Sequence, residues 1–446
     1  LMTPNESYVR HVMTSFGFTL ALARDHLLAH LDGRLSPADR EELRRIGDSP
    51  EAAYGAHLRY GNPGYARVAR QHGFDARFHG AHGVRSRLSE EGEAPRDIID
   101  CFVNVGTCPR GLNPPDVIGT VAGAHDRTRD YWRDLAAFLA ERTGLPHAVP
   151  ASSNVTAVEA ALTLGLLAAP ERRRLLCFTG GLGFTLLTAA SSFDTVFDIF
   201  RKPFLPVHRH TVFIDPAAPD AAERLEAELL SGTVAMVWFE TIQVDANASR
   251  PLPGHLIALV NRHRARGGYL VGVDETQTNL VTGHLLHSGG LVPSPDLVAL
   301  GTALCDSLVP MGVVLAGGAV MDRARRTNPA RVADLEVRGV NQLCAHIALN
   351  SLRAIEDGGL MIRARETGRY FKQALEAVKR DFPLVRDVRG EGLLLTIELD
   401  LTGHDPFVER SFGYLLWGAM LRDREAGVAV AVCPIHNTCL RFLPPL

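Results

Sequence analysis

Val234-Ala235-Met236-Val237-Trp238-Phe239 is an unbroken apolar run of strand length that stops at the carboxylate of Glu240. A run without polar alternation suits a strand buried on both faces, and such strands belong to parallel sheets covered by helices on either side. The rhythm recurs along the chain. Ile98–Val105, Leu175–Phe178, Tyr269–Val273 and Leu297–Leu300 read as strands, while Tyr131–Arg142, Thr156–Leu167 and His255–Arg266 read as amphipathic helices. Strands separated by helices predict an α/β layer architecture over residues 96–330, with a mostly parallel sheet flanked by helices. Beyond it, helical stretches at Leu343–Glu356 and Glu366–Lys379 and strand-like runs at Leu393–Leu399, Val428–Val432 and Leu440–Leu443 predict a smaller α+β unit over 331–446. Residues 1–95 read as helices and turns that pack with this smaller unit, with Pro37 at a first helical position.

A chain of 446 residues exceeds what one core supports, in keeping with this division. Its net charge of −3 excludes a polybasic nucleic-acid binder and a charge-driven membrane protein. Leu308–Met321, the most apolar stretch, is broken by Pro310 and glycines and is too short to span a bilayer. The seven cysteines are scattered without C-x-x-C spacing, so neither a zinc cluster nor a redox dithiol is expected. His208 and His210 alternate on a short segment without an acidic partner, and no metal is assigned. The N-terminus lacks a signal-peptide pattern, and a cytoplasmic protein is expected. Only three cations are lysines: Lys202, Lys372 and Lys379.

The chemistry begins at Tyr269-Leu270-Val271-Gly272-Val273-Asp274-Glu275-Thr276-Gln277, where an apolar strand ends in two carboxylates and a glutamine. Strand C-termini of a parallel sheet open onto the ligand crevice, and an acid dehydrated there needs a cation or a donor. This segment resembles the D-E-V-Q-T-G element of class III aminotransferases, pyridoxal-phosphate enzymes of fold type I. The resemblance gives Asp274 the place beside the pyridine nitrogen and Gln277 that near the phenolic oxygen; a carboxylate at the nitrogen keeps the ring an electron sink. It extends over most of the chain. Asn62-Pro63-Gly64-Tyr65-Ala66 through Gly73-Phe74-Asp75 is similar to an entry segment of part of the family. Ser153-Asn154-Val155 in Ser152–Ala161 is similar to the S-G-T phosphate turn, where backbone N–H groups at a helix start hold the phosphate. Phe239-Glu240-Thr241-Ile242-Gln243 resembles V-E-P-V-Q, Val388-Arg389-Gly390-Glu391-Gly392-Leu393 resembles V-R-G-x-G-L, and Leu440-Arg441-Phe442-Leu443-Pro444-Pro445-Leu446 resembles the closing R-F-L-P-P-L, whose arginine binds a substrate carboxylate.

The departures from the family pattern fall on the reactive parts. The signature P-D-x-V-x-x-x-K-A-L-x-x-G-x-x-P-x-G-A is matched by Pro295–Gly312, with Thr302 where the Schiff-base lysine stands. A hydroxyl cannot form an imine, and its pKa is too high for proton shuttling near neutrality. None of the three lysines lies near this element, and the one considered as a substitute is Lys202, on the loop after Phe200. Gly181-Leu182 replaces the aromatic-His pair that stacks on the ring, leaving Phe184 as a substitute, and Glu336–Gln342 lacks the partner subunit's phosphate threonine, with Arg338 as a substitute charge.

Ordinary transamination is therefore not expected. The reading is a biosynthetic, aminotransferase-like enzyme with non-standard chemistry. It uses pyridoxal phosphate or pyridoxamine phosphate held without a covalent bond, or a repurposed pocket, on a small amino or keto acid. Thr302 and Glu240 are the catalytic candidates, Ser153, Asn154, Val155, Asp274 and Gln277 hold the cofactor, and Arg441 holds the substrate. A homodimer is expected, because the family's pocket is shared by two subunits. Two alternatives stay open: a silent subunit completing an active paralogue's site, and a conventional aminotransferase with its lysine replaced to trap an intermediate. The second must also explain the changes at Asn154, Thr156, Gly181 and Leu182.

Overall fold

The computed structural model describes residues 77–89, 94–115, 125–180, 210–244, 249–403, 406–432 and 438–446, with Pro37, Gly55 and residues 58–60. The entry segment at 62–75 lies outside the described residues. Three strands open the ordered path, β1 (Arg77–His82), β2 (Arg85–Ser89) and β3 (Arg96–Asp100). There follow β4 (His147–Ala151), β5 (Arg174–Phe178), β6 (Thr211–Ile214), β7 (Val234–Phe239), the short β8 (Ile242–Gln243) and β9 (Arg250–Pro251), then β10 (Leu270–Asp274), β11 (Leu297–Leu300) and β12 (Gly312–Ala316).

The seven-stranded sheet runs in the order β4-β12-β11-β10-β7-β5-β6. Its four pairings on the β6 side of β11 are parallel, whereas β12 runs antiparallel to both β11 and β4. β4 therefore points the same way as β7, β10 and β11. Because side chains alternate across a strand, each buried strand feeds two cores. Leu297 and Ala299 face one side with Met236, Trp238 and Val314, packed on the helices Asn154–Ala168 and Gly318–Thr327. Val298 and Leu300 face the other with Val313 and Leu315, packed on the helices Tyr131–Thr143 and Gln342–Asp357. Further along that side, Val237, Val271 and Val273 meet Leu225 and Val260 of the helices Ala221–Leu230 and Gly254–Gly267. Asp130 starts the helix Tyr131–Thr143 by accepting the Arg133 N–H.

The smaller unit is an antiparallel sheet, in the order β13 (Val385–Glu391), β14 (Leu394–Leu399), β17 (Cys439–Phe442) and β16 (Ala431–Val432), against the helix Leu360–Asp381. It meets the large sheet where Leu393 N–H donates to Val281 O at 3.0 Å and Thr396 Oγ1 to Ser249 Oγ at 2.9 Å. Gly392, at φ +57°, brings its backbone so near Thr282 that a Cβ would stand 2.5 Å from the Thr282 carbonyl carbon.

One expectation is revised. Residues 77–89 are strands rather than helices and turns: β1, β2 and β3 pair antiparallel, and β15 (Val428–Ala429) joins β3 in parallel. Ladder pairing decides the matter there, since the arginine-rich β2 alternates outward and inward without an apolar run. The helix Pro329–Arg338 follows the large sheet's last strand, and Gln342–Asp357 packs on that sheet's core, while Leu360–Asp381 lies against the smaller sheet.

Candidate active site

Because β4, β7, β10 and β11 share a direction, their C-terminal ends bring the Ser153 turn, Glu240, Asp274 and Thr302 to one edge of the sheet. Asp274 ends β10 and is buried at 4% exposure. Its Oδ1 accepts from both the Thr276 N–H at 2.9 Å and the Thr276 hydroxyl at 2.7 Å. Oδ2 has no partner among the described residues, and no cation faces it there. Burial, reinforced by the neighbouring Glu275 charge and opposed by the Thr276 hydrogen bonds, pushes the Asp274 carboxyl up to about 6.

The sign of this shift makes a prediction. Below 3.8 the carboxyl is protonated in folded and unfolded chains alike, and between 3.8 and about 6 the folded chain alone tends to keep the proton. Stability of the ligand-free protein therefore falls as pH rises through that window. Asp274→Asn is expected to match wild type near the lower end and to exceed it above about pH 6, by up to about 3 kcal/mol. Thermal unfolding across that range checks this, and a difference that does not change with pH contradicts it.

Thr302 follows β11 and starts a short 3-10 turn, Thr302–Cys305. Its N–H donates to Asn154 Oδ1 at 3.0 Å, and a Cβ on Gly301 would lie 2.6 Å from that oxygen and 2.7 Å from Thr276 O. Asn154, Thr302 and the Asp274–Thr276 segment are thus contiguous. The Cys305 thiol donates to Thr302 O and Val309 O, and burial pushes it up to about 12, which keeps it protonated and inert.

The Ser153 turn is a capped helix start. Ser153 Oγ accepts the Thr156 N–H at 3.2 Å and Thr156 Oγ1 accepts the Ser153 N–H at 2.9 Å, a reciprocal capping box. The N–H groups of Asn154 and Val155, first in the helix, have no acceptor within it. Val155 is 47% exposed and offers only its backbone. Arg338 is not drawn to this turn: it pairs with Asp334 of its own helix at 2.6 Å.

Arg441 and Glu240 both bond to the backbone of Val244. Arg441, fully buried on β17, donates to Val244 O at 2.9 Å, while Glu240 Oε2 accepts the Val244 N–H at 3.2 Å. Gln277 is half-buried, and its amide bonds to no described residue. Gly181, Leu182, Phe184, Lys202 and His208 lie outside the described residues. Lys372 donates to Gly390 O and Lys379 stands 3.9 Å from Asp387, both on the helix Leu360–Asp381 of the smaller unit. Among the described residues no group of three His, Cys, Asp or Glu side chains can hold a metal, and no helix is long and apolar enough to cross a membrane.

Sequence reasoning missed a hydrogen-bonded chain behind the pocket. Thr241 Oγ1 and His287 Nδ1 are 2.7 Å apart, and His287 Nε2 lies 3.1 Å from Glu391 Oε2 of β13. The histidine contact holds Glu391 below the usual carboxylate range. His287 itself is buried, at 8% exposure.

A pyridoxal-type group can be tested against these residues. A pyridinium requires a buried carboxylate with a free oxygen, which Asp274 Oδ2 offers. A phosphate requires open N–H donors at a helix start, which Asn154 and Val155 offer. The residues present fit the group at both ends.

Comparison with known proteins points the same way. The family description "Aminotransferase class-III" matches residues 122–446. The chain is 27% identical over 385 residues to a mitochondrial ornithine aminotransferase of Oryza sativa subsp. japonica, covering 80% of this chain and 75% of that one. Among solved structures, the ornithine aminotransferase from Toxoplasma gondii ME49 superposes with a TM-score of 0.73 at 22% identity, over 94% of this chain and 93% of that one. The N-acetylornithine aminotransferase from Stenotrophomonas maltophilia K279a gives 0.63 at 20% identity, over 85% and 92%. These two share the chain's fold, and the match over residues 122–446 establishes that the chain belongs to the class III aminotransferases.

Proposed function

We propose that this chain is an aminotransferase-like biosynthetic enzyme that holds pyridoxal phosphate or pyridoxamine phosphate without a covalent bond, with Thr302 in the place of the family's Schiff-base lysine. The observation that carries the reading is Asp274, a dehydrated carboxylate with one unengaged oxygen, beside a strand end that presents a threonine. Bound there, the group would supply an electron sink at the substrate's reacting carbon. Asp274 would face the ring nitrogen and Gln277 the phenolic oxygen, and the Asn154 and Val155 N–H groups would hold the phosphate. Arg441 would orient the carboxylate of a small amino or keto acid, since a planar fork of donors matches two oxygens. Glu240, anchored on the N–H of the same residue, Val244, would help to place that arginine. Thr302 donates or accepts a hydrogen bond near neutrality but does not give up its proton, so proton transfer falls to another group.

A homodimer belongs to this reading. Val155 at the Ser153 turn, and Val337, Val340 and Leu343 around Gly339, whose backbone approaches Pro150, are exposed large apolar side chains that a second subunit could cover. The six described cysteines are buried and free, which suits a reducing cytoplasm.

Calorimetric titration of the ligand-free protein with pyridoxal phosphate and with pyridoxamine phosphate tests the reading. Saturable binding of one or both, reversed by dialysis, is expected. Absence of binding by either would favour a pocket turned to chemistry without this cofactor.

A further inference from the structure

Asn154 stands between the two halves of the pocket. It opens the helix Asn154–Ala168, and its side chain reaches across to the Thr302 turn, where Oδ1 accepts the Thr302 N–H at 3.0 Å. A backbone N–H can be met only by the amide oxygen, so the orientation of this amide follows from its partner. The space is tight: a Cβ on Gly301 would stand 2.6 Å from the same oxygen, so glycine at 301 is what lets the contact form. The Asn154 NH2 group has no acceptor among the described residues, and it belongs to the residue whose backbone N–H opens the helix. Asn154 thus gives its side-chain oxygen to the Thr302 turn and its backbone N–H to the helix start.

We propose that Asn154 is a positioning residue. Its oxygen fixes the Thr302 turn against the helix start, while its NH2 group joins the backbone N–H groups in binding a phosphate. Phosphate recognition and the placement of Thr302 are then set by one side chain, and a phosphorylated ring ligand is held in register without a covalent tether. This rests on the cofactor reading above. A carboxylate at residue 154 would keep an acceptor for Thr302 and turn a negative charge on the phosphate, so the two roles can be separated.

Titration with pyridoxal phosphate and with pyridoxal, together with hydrogen exchange at the Thr302 amide, makes that separation. Wild type is expected to prefer the phosphorylated ligand by roughly tenfold or more, since charge-assisted donors act on the phosphate alone, and to protect the Thr302 amide. Asn154→Asp is expected to lose most of that preference and keep the protection. Asn154→Ala is expected to lower the preference by about three- to tenfold, the scale of one donor to a charged group, and to expose the Thr302 amide. A preference unchanged in both variants, or a Thr302 amide equally protected in Asn154→Ala, overturns the role of Asn154 and leaves the cofactor site standing. Wild type that binds neither ligand overturns both.

Discussion

Asp306→Ala is expected to destabilise the folded chain by about 3–5 kcal/mol, the cost of breaking one side of a buried ion pair. The Asp306 carboxylate is wholly buried, and it accepts from Arg110 through both the backbone N–H and Nε at 2.9 Å and from Ser351 Oγ at 2.7 Å. Its removal takes this carboxylate away from the Arg110 guanidinium, whose side chain is 8% exposed. The residue also closes the turn that Thr302 opens, so the pair ties residues 107–110 and the helix Gln342–Asp357 to the pocket floor. Denaturant unfolding measures the loss. The exposed Arg142–Glu356 pair serves as a control, because screened surface pairs contribute less than about 1 kcal/mol. A loss at Asp306 no larger than that of the control would mean that the ion pair does not hold this region.

Asp274→Ala is expected to weaken pyridoxal phosphate binding by several-fold to about a hundredfold, since a buried charge pair is then lost. The effect should be confined to ligands with a ring nitrogen that can carry a proton. Stability should move the other way above about pH 6, because the ligand-free protein no longer buries an ionised carboxylate. A residue that costs the empty fold and rewards the loaded one is a functional residue. Calorimetry reads the affinity, and equal values for variant and wild type would point to a pocket used without this cofactor.

Much of this was legible from residue pattern alone. The continuous run of β7 and the abrupt carboxylates after β10 were sufficient to place the parallel centre of the sheet and its ligand edge, because burial on both faces leaves no polar alternation. The antiparallel end formed by β4 and β12 was not legible. His147–Ala151 holds a proline and a histidine, and Gly312–Ala316 lies in a glycine-interrupted stretch, so neither has a strand signature outside its ladder. Among the site residues, Asp274 declared itself by its place at a strand end, but its Thr276 partner did not. The contacts between Asn154 and Thr302 and between His287 and Glu391 join residues 148 and 104 positions apart, and only the closed fold brings them together. Ser153 was read as a cofactor ligand, and its hydroxyl also caps the helix; that second duty follows from Thr156 three residues on, a spacing visible in the sequence.

A pocket that binds a pyridoxal-type ligand without a covalent bond leaves no trace on the protein after reduction. The most direct test is mass spectrometry of the intact protein, saturated with pyridoxal phosphate and then reduced with borohydride. With only three lysines in the chain, background labelling is low and readily mapped. Saturable binding before reduction and an unchanged protein mass after it are expected. A stoichiometric, cofactor-sized mass increase on a single lysine would contradict non-covalent binding, and would show that the chain forms its covalent bond through an amine other than residue 302.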